Sequence, residues 1–139
     1  MNMNRKLLYI IVALAAFFVY YNSLNNDFVF DDESVVQNNQ SITDISNIPK
    51  FFTAEEGFHK VIGRYYRPVV STLYAVDYAL WGINPFGFHL TNVIIHTIAS
   101  FLLLLILLKM FGEFKHGLFS ALIGALIFAV HPVHTEAVS

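Results

Sequence analysis

Three adjacent acids, Asp31, Asp32 and Glu33, are the first residues in the chain whose types could do chemistry. Such a run is usually a solvated loop or a helix cap, because neighbouring carboxylates repel one another and gain little from being held together. These acids follow the apolar segment 28–30, however, which would hold them against the protein. A pair of carboxylates held there could bind a cation or take a proton from a hydroxyl group.

A second group of titratable side chains comprises His131, His134 and Glu136 in the segment HPVHTE. Their spacing differs from the HExxH arrangement that places two imidazoles on one helical face, so it is a weak indication of a metal site. The alternative is a helix end whose imidazoles bond to backbone carbonyls. Pro132 predicts a kink or break in a helix at this point, and the freed backbone groups would then need protein partners or a water-filled cavity.

Polar side chains also recur along one apolar stretch, at steps of three and four residues that place them on one helical face: His89, Asn92, His96 and Ser100. They could line a functional cavity or hydrogen-bond to a neighbouring helix. Arg64 and Arg67 in GRYYRP supply the guanidinium groups of the preceding segment. They could hold a phosphate as bidentate donors, or they could extend along apolar surface to reach water.

A helix is predicted directly after these arginines, with Pro68 in its first turn. Apolar residues recur there at helical spacing, namely Val69, Leu73, Val76 and Leu80. This pattern fits either an interfacial helix lying on the bilayer or a helix packed on other parts of a larger membrane domain. The NPFG sequence at 84–87 indicates a turn after this helix.

Three long uncharged stretches predict the elements that position these residues. They cover about residues 7–26, 90–108 and 117–135, and at about 1.5 Å per residue each is long enough to cross a hydrocarbon core of roughly 30 Å. We therefore predict three transmembrane helices, with an outer loop over about residues 27–89. Aromatic residues at positions 17, 18, 20 and 21 stand where a cleaved signal peptide needs small residues, so they favour a retained first helix.

Basic residues predict the orientation of these helices. Arg5 and Lys6 precede the first helix, while Lys109 and Lys115 lie in the short connection between the second and third. By the positive-inside rule both sets lie in the cytoplasm, together with the amino terminus. The loop acids and the HPVHTE segment then share the opposite face, which is the periplasm in bacteria or the lumen of the endoplasmic reticulum in eukaryotes. We expect them to converge in space.

Composition supports a membrane protein. The 139 residues are 56% hydrophobic and 13% charged, with a mean hydropathy of +0.57. The net charge of −2 provides no basic surface for a nucleic acid. With no cysteine, the chain has no disulfide, thiolate metal site or cysteine nucleophile. We predict an all-α integral membrane fold whose partner is the lipid bilayer.

Several motifs occur in a specific order: FDD within FDDESVVQNN, then YRP and HLxNxxxH, then FAVHPVHTEAV. From about residue 28 to 139 the sequence closely resembles the amino-terminal membrane region of the transmembrane and tetratricopeptide repeat containing O-mannosyltransferases and their bacterial homologues. The resemblance implies a GT-C fold, a polyprenyl-phosphate sugar donor, and an active site on the lumenal or periplasmic face with an acidic motif in the first outer loop. It also implies that this chain is the amino-terminal fragment of a longer polytopic protein, inactive alone.

The resemblance assigns catalysis best to Asp31, as the base, with Asp32 as its close partner. From position we assign substrate binding to six residues: Arg64, Arg67, His96, His131, His134 and Glu136. The expected reaction transfers a sugar, mannose by resemblance, to Ser or Thr hydroxyls of a protein acceptor. The use of a divalent metal ion stays open, with Asp31 and Asp32 as the ligands if one is bound.

Two functions from other classes compete with this interpretation. A non-enzymatic membrane anchor for a tetratricopeptide repeat scaffold would use the acids and histidines only for packing. A metal or proton transporter would need polar residues that continue into the cytoplasmic half of the helices, where the LLLLILL and LFSALIGALI segments largely lack them.

Overall fold

The structure is a computed structural model that describes residues 4–29, 32–53 and 66–138. Within these ranges every regular element is helical. The α-helices are α1 (Arg5–Val19), α2 (Ile48–Phe51), α3 (Pro68–Trp81), α4 (Pro85–Phe111), α5 (Gly117–Val130) and α6 (Thr135–Val138). Short 3-10 or π turns cover Tyr21–Asn25, Glu33–Gln37, Gln40–Ile42, Ile45–Asn47 and Pro132–His134.

Two helical segments, Arg5–Asn25 and Pro85–Phe111, are long and apolar enough to cross a membrane. The segments Gly117–Val130 and Pro132–Val138 form a third candidate if this pair, bent by 41°, is one span. The prediction of an all-α membrane fold is therefore confirmed. α4 begins at Pro85 rather than near residue 90, because Asn84 caps it by accepting a hydrogen bond from the Phe86 backbone N–H at 3.1 Å.

The NPFG sequence, predicted as a turn, forms the start of α4, where the Gly87 N–H donates to the Asn84 carbonyl at 3.1 Å. A turn at Gly82 and Ile83 directly precedes the capping Asn84. Gly82 has a φ of +64°, a backbone conformation that favours glycine. Gly87 lies against the Trp81 ring, so closely that a Cβ there would collide with it. Pro85, which suggested a turn in the sequence, therefore stands in the first turn of α4.

The chain divides into two compact units. The helical unit comprises Met1–Leu24 and His89–Ser139, and the loop unit comprises Asn25–Phe88. In the helical unit, α1, α4 and α5 enclose an apolar cluster of Leu8, Val12, Leu104, Leu108, Ala121 and Ala125. A second cluster lies at the other end, formed by Tyr20, Leu24, Val93 and Val138.

A stripe of small residues lets α1 and α5 approach closely. The buried residues of α5 are spaced four apart, as Gly117, Ala121, Ala125 and Ala129. The buried residues of α1 have the same spacing, as Leu8, Val12 and Ala16. Small residues at this spacing are typical of interfaces between membrane helices, where the backbones pack by van der Waals contact. We call the four α5 residues the small-residue stripe.

α1 and α5 run in the same direction, and α4 runs opposite to both. At one end, the Arg5 guanidinium lies near Gly112 in the turn between α4 and α5, 3.5 Å from where a Cβ would stand. At the other end, Tyr20 bonds to His131, directly beyond α5. Arg5, Lys109 and Lys115 are therefore near the same end of the unit, as an up-down-up arrangement requires.

The loop unit has its own apolar core, formed by Val36, Ile42, Phe51, Ala75 and Phe88. α3 turns one face into this core and buries Ser71, Ala75 and Asp77. On the opposite side, Val69 and Leu80 are 63% and 69% exposed. α3 thus packs within the loop unit and also presents apolar side chains on its surface, and its place on the bilayer stays a prediction.

Candidate functional site

The acidic segment begins at a tight turn in the loop unit. The Asp32 carboxylate Oδ2 accepts a hydrogen bond from the Val29 backbone N–H at 3.0 Å, and the Asp32 N–H donates to the Val29 carbonyl at 3.1 Å. Phe28, just before this turn, packs edge to face on Phe88 with ring centroids 5.4 Å apart. Phe28, three residues before the first acid, is thus packed within the loop unit, and Asp32 is half-buried.

Asp31 and Arg64 lie outside the described residues, so their predicted roles stay predictions. Within the described ranges, the second oxygen of Asp32, Oδ1, makes no hydrogen bond. Glu33 is exposed and begins the π turn Glu33–Gln37. Arg67 is exposed and directly precedes α3, where its carbonyl accepts hydrogen bonds from the backbone N–H and hydroxyl of Ser71.

The HPVHTE segment begins where α5 breaks. Pro132 has no N–H, so it cannot continue the hydrogen-bond ladder of the helix. The Val133 N–H, which would reach the Ala129 carbonyl in a continuous helix, instead donates to His131 Nδ1 at 3.1 Å. The break predicted from Pro132 is confirmed, and it leaves the last carbonyls of α5 in need of other donors.

Two buried side chains, one on α4 and one directly after α1, make hydrogen bonds to carbonyls at this break. His96 Nε2 on α4 lies 2.9 Å from the Ala129 carbonyl oxygen. The Tyr20 hydroxyl, directly after α1, donates to the His131 carbonyl at 2.9 Å. His96 is 6% and Tyr20 is 5% exposed. We call Tyr20, His96 and the two carbonyls they bond the carbonyl clamp. It joins α1 and α4 to the broken end of α5.

Aromatic rings pack around this clamp. Tyr20 meets His96 edge to face at a centroid distance of 5.0 Å. The His134 ring lies 4.5 Å from that of Phe128 and 5.1 Å from that of His96. His134 is half-buried, whereas His131 and Glu136 are exposed. Three predicted site residues, His96, His131 and His134, are therefore brought together at one end of the helical unit.

Among residues 4–29, 32–53 and 66–138, no three His, Cys, Asp or Glu side chains are grouped so that they could hold one ion. This finding does not bear on Asp31, which lies outside these residues.

The polar stripe of α4 is buried along most of its length. His89, His96 and Ser100 are buried, while Asn92 is half-buried. At His96 the geometry is that of a hydrogen bond between helices, one of the two interpretations open from the sequence. In the described part of the chain the Ser100 hydroxyl has no hydrogen-bond partner.

Tyr20 was not among the site residues predicted from the sequence, where it was only one of several aromatics at a helix end. One signal could have identified it. Tyr20 continues the four-residue spacing of the buried face of α1, Leu8, Val12 and Ala16. A buried tyrosine hydroxyl usually finds an acceptor, and the helix break predicted at Pro132 offers free carbonyls.

The apolar helices, the acidic turn and the clamped helix break define an α-helical membrane protein with polar groups near its helix ends. Known proteins with similar sequences define this class more narrowly. The chain is 34% identical to human Protein O-mannosyl-transferase TMTC3 over 99% of its length. It is 33% identical to Protein O-mannosyl-transferase Tmtc1 of Drosophila melanogaster over 89% of its length, and 30% identical to mouse Protein O-mannosyl-transferase TMTC4 over 94%.

These relatives confirm the family expected from the motifs, since the chain is similar over nearly its whole length to transmembrane and tetratricopeptide repeat containing O-mannosyltransferases. It spans 15% of the human, 14% of the Drosophila and 19% of the mouse relative. No family model matches the chain. No solved structure matches it either.

Proposed function

We propose that the chain is the amino-terminal part of a membrane glycosyltransferase that transfers mannose from a polyprenyl-phosphate donor to Ser or Thr hydroxyls of proteins. One observation carries the proposal: relatives named as protein O-mannosyl-transferases match 99% of the chain. A match of that extent includes both the acidic segment and HPVHTE. The anchored turn that ends in a half-buried Asp32 carboxylate supports a site there.

The proposed reaction is a substitution at the sugar. The acceptor hydroxyl oxygen forms a bond to the anomeric carbon while the bond from that carbon to the donor phosphate breaks. The hydroxyl proton passes to a carboxylate, and polyprenyl phosphate leaves. The protein must therefore supply a base, neutralise charge on the departing phosphate, and keep water from taking the sugar.

Residues of the loop unit and of the HPVHTE segment have the side-chain types that these tasks need. We assign the base to Asp31, with Asp32 beside it in the chain. A carboxylate near the membrane can take the proton as the glycosidic bond opens. Arg67 and Arg64 are the proposed phosphate ligands, because guanidinium groups bind phosphate through two parallel hydrogen bonds. His131, His134 and Glu136 are assigned to binding the acceptor or shaping the site.

A transfer assay with purified full-length protein tests this function. Mannose from a polyprenyl-phosphate donor should appear on Ser/Thr peptides. The same peptides with Ala at every Ser and Thr should stay unmodified. Substitution of a nucleotide-linked mannose for the lipid-linked donor should give no product. Transfer only from the nucleotide sugar, or no transfer from either donor, would contradict the proposal.

The proposed site also requires an orientation in which the loop unit faces the lumen or periplasm. We expect cysteines introduced at the exposed Gln37 and Glu113 to lie on opposite sides of the membrane. In a cysteine-free full-length protein, an impermeant maleimide applied to sealed, right-side-out membranes should label only the cysteine that faces outside, and permeabilisation should expose the other. Labelling of both cysteines from one side would contradict the orientation derived from the lysines and arginines.

A further inference from the structure

We propose that Tyr20 and His96 are positioning residues that hold the HPVHTE segment in its working place through the carbonyl clamp. The inference rests on the proposed function and deepens it. It gives these two side chains the task of fixing other residues rather than of contacting substrate. For His96 this replaces substrate binding, the role assigned to it from its position in the sequence.

The first support is that the clamp supplies hydrogen-bond donors to the carbonyls at the helix break. A helix end in an apolar environment must find donors for its last carbonyls, since no water is available in lipid. Here the Ala129 carbonyl is reached by His96 and the His131 carbonyl by Tyr20, each at 2.9 Å. The His134 backbone N–H also donates to the His131 carbonyl, at 3.2 Å. The direction of the chain beyond His131 is therefore fixed by groups on two other helices.

The second support is the tautomer that this contact requires of the His96 ring. A carbonyl oxygen only accepts hydrogen bonds, so Nε2 must carry the proton. That nitrogen is consequently engaged with Ala129 and is not offered to a substrate. An amide nitrogen at a similar distance from the backbone could make the same bond, whereas an aliphatic side chain could not.

The third support is that the clamp contacts a proposed site residue directly. The His134 ring packs against the rings of Phe128 and His96, while the exposed Glu136 follows two residues later. Replacing His96 by a side chain that cannot donate to the Ala129 carbonyl thus also removes one of the rings that pack against His134. Tyr20 acts on His134 less directly, through its hydrogen bond to the His131 carbonyl.

The test uses Tyr20→Phe and His96→Leu in the full-length protein, each with a matched control. Tyr21→Phe removes a hydroxyl from the neighbouring tyrosine, which is 53% exposed. His96→Gln keeps a donor that can reach the Ala129 carbonyl, so it should behave nearly as wild type. This conservative variant also keeps the test decisive if His96→Leu fails to fold.

Two measurements are made on every variant. Amide hydrogen exchange of residues 133–138 should accelerate by about 10-fold or more in Tyr20→Phe and His96→Leu, because each removes a side-chain donor from a carbonyl at the helix break. The kcat for mannose transfer should fall by about 10-fold, with the donor KM changed by less than about 3-fold, because a misplaced site lowers turnover more than binding. Tyr21→Phe and His96→Gln should stay within about 3-fold in both.

Each contrary result has a distinct meaning. Unchanged exchange in both Tyr20→Phe and His96→Leu would overturn the clamp. Accelerated exchange with unchanged kcat would overturn the positioning role. A large rise in donor KM with normal exchange would place His96 in the substrate site instead. If the wild-type protein transfers no mannose, the proposed function and this role in it both fail, while the exchange result still decides whether the clamp exists.

Discussion

Asp31→Asn or Asp32→Asn in the full-length protein is expected to lower mannose transfer by about 100-fold or more, with expression and membrane insertion unchanged. The amide keeps the shape of the carboxylate and removes its charge and basicity. At Asp32 the structure indicates that the substitution can remove the charge without disturbing the backbone. The Val29 N–H needs only an acceptor oxygen, which an Asn side chain also provides, so the turn should survive.

Glu33→Gln is the matched control for both variants. Glu33 is exposed and adjacent to the pair, and it lies outside the FDD motif. We expect it to change transfer by less than about 3-fold and stability by less than about 0.5 kcal/mol. Transfer is measured in membranes adjusted to equal protein amounts. Wild-type rates in both aspartate variants would remove the catalytic assignment and favour a non-enzymatic scaffold.

The second large effect is expected at the small-residue stripe. Ala125 is fully buried in the cluster that α5 shares with Leu8 and Val12 of α1. Ala125→Leu would push α1 and α5 apart, since close-packed helices have no room for three more carbons. Overpacking of this kind costs about 1–3 kcal/mol, and it should lower the thermal unfolding midpoint of the detergent-solubilised protein by several degrees.

Ser120→Leu is the control for this substitution, because it adds an equally large side chain to an exposed position on the same helix. It should leave the unfolding midpoint within about one degree of wild type. Equal loss of stability in the two variants would mean that the stripe is not the packing surface. A stable Ala125→Leu protein would mean that α1 and α5 are not in close contact.

Hydropathy and proline chemistry predicted much of this architecture. Long uncharged runs depend only on local composition, so the apolar helices and their all-α class could be predicted. The break at His131 could also be predicted, because the missing N–H of Pro132 is a property of one residue. The same reasoning failed at NPFG, where Asn84 and Pro85 suit both a turn and a helix start. The capping bond to Phe86 decides between them.

The partners of the polar residues could not be predicted in this way. His96 was recognised as polar and helical, but its acceptor is the backbone of Ala129, which has no sequence signature. Tyr20 bonds a carbonyl 111 residues away, so only the packing of α1 against α5 reveals the contact. The Asp31 and Arg64 assignments still depend on the resemblance, since these residues lie outside the described ranges.

The close packing of α1 and α5 has a consequence for biogenesis. Membrane helices are inserted one after another and associate afterwards. The chain between these two must be synthesised, and α4 inserted, before Ala125 can meet Val12 or the Tyr20 hydroxyl can reach His131. Until then the face of α1 that packs on α5 is without that partner. Quality-control factors that recognise unassembled membrane helices would have the most time to act during this interval. Defects in the small-residue stripe should therefore appear as degradation after insertion rather than as failed insertion.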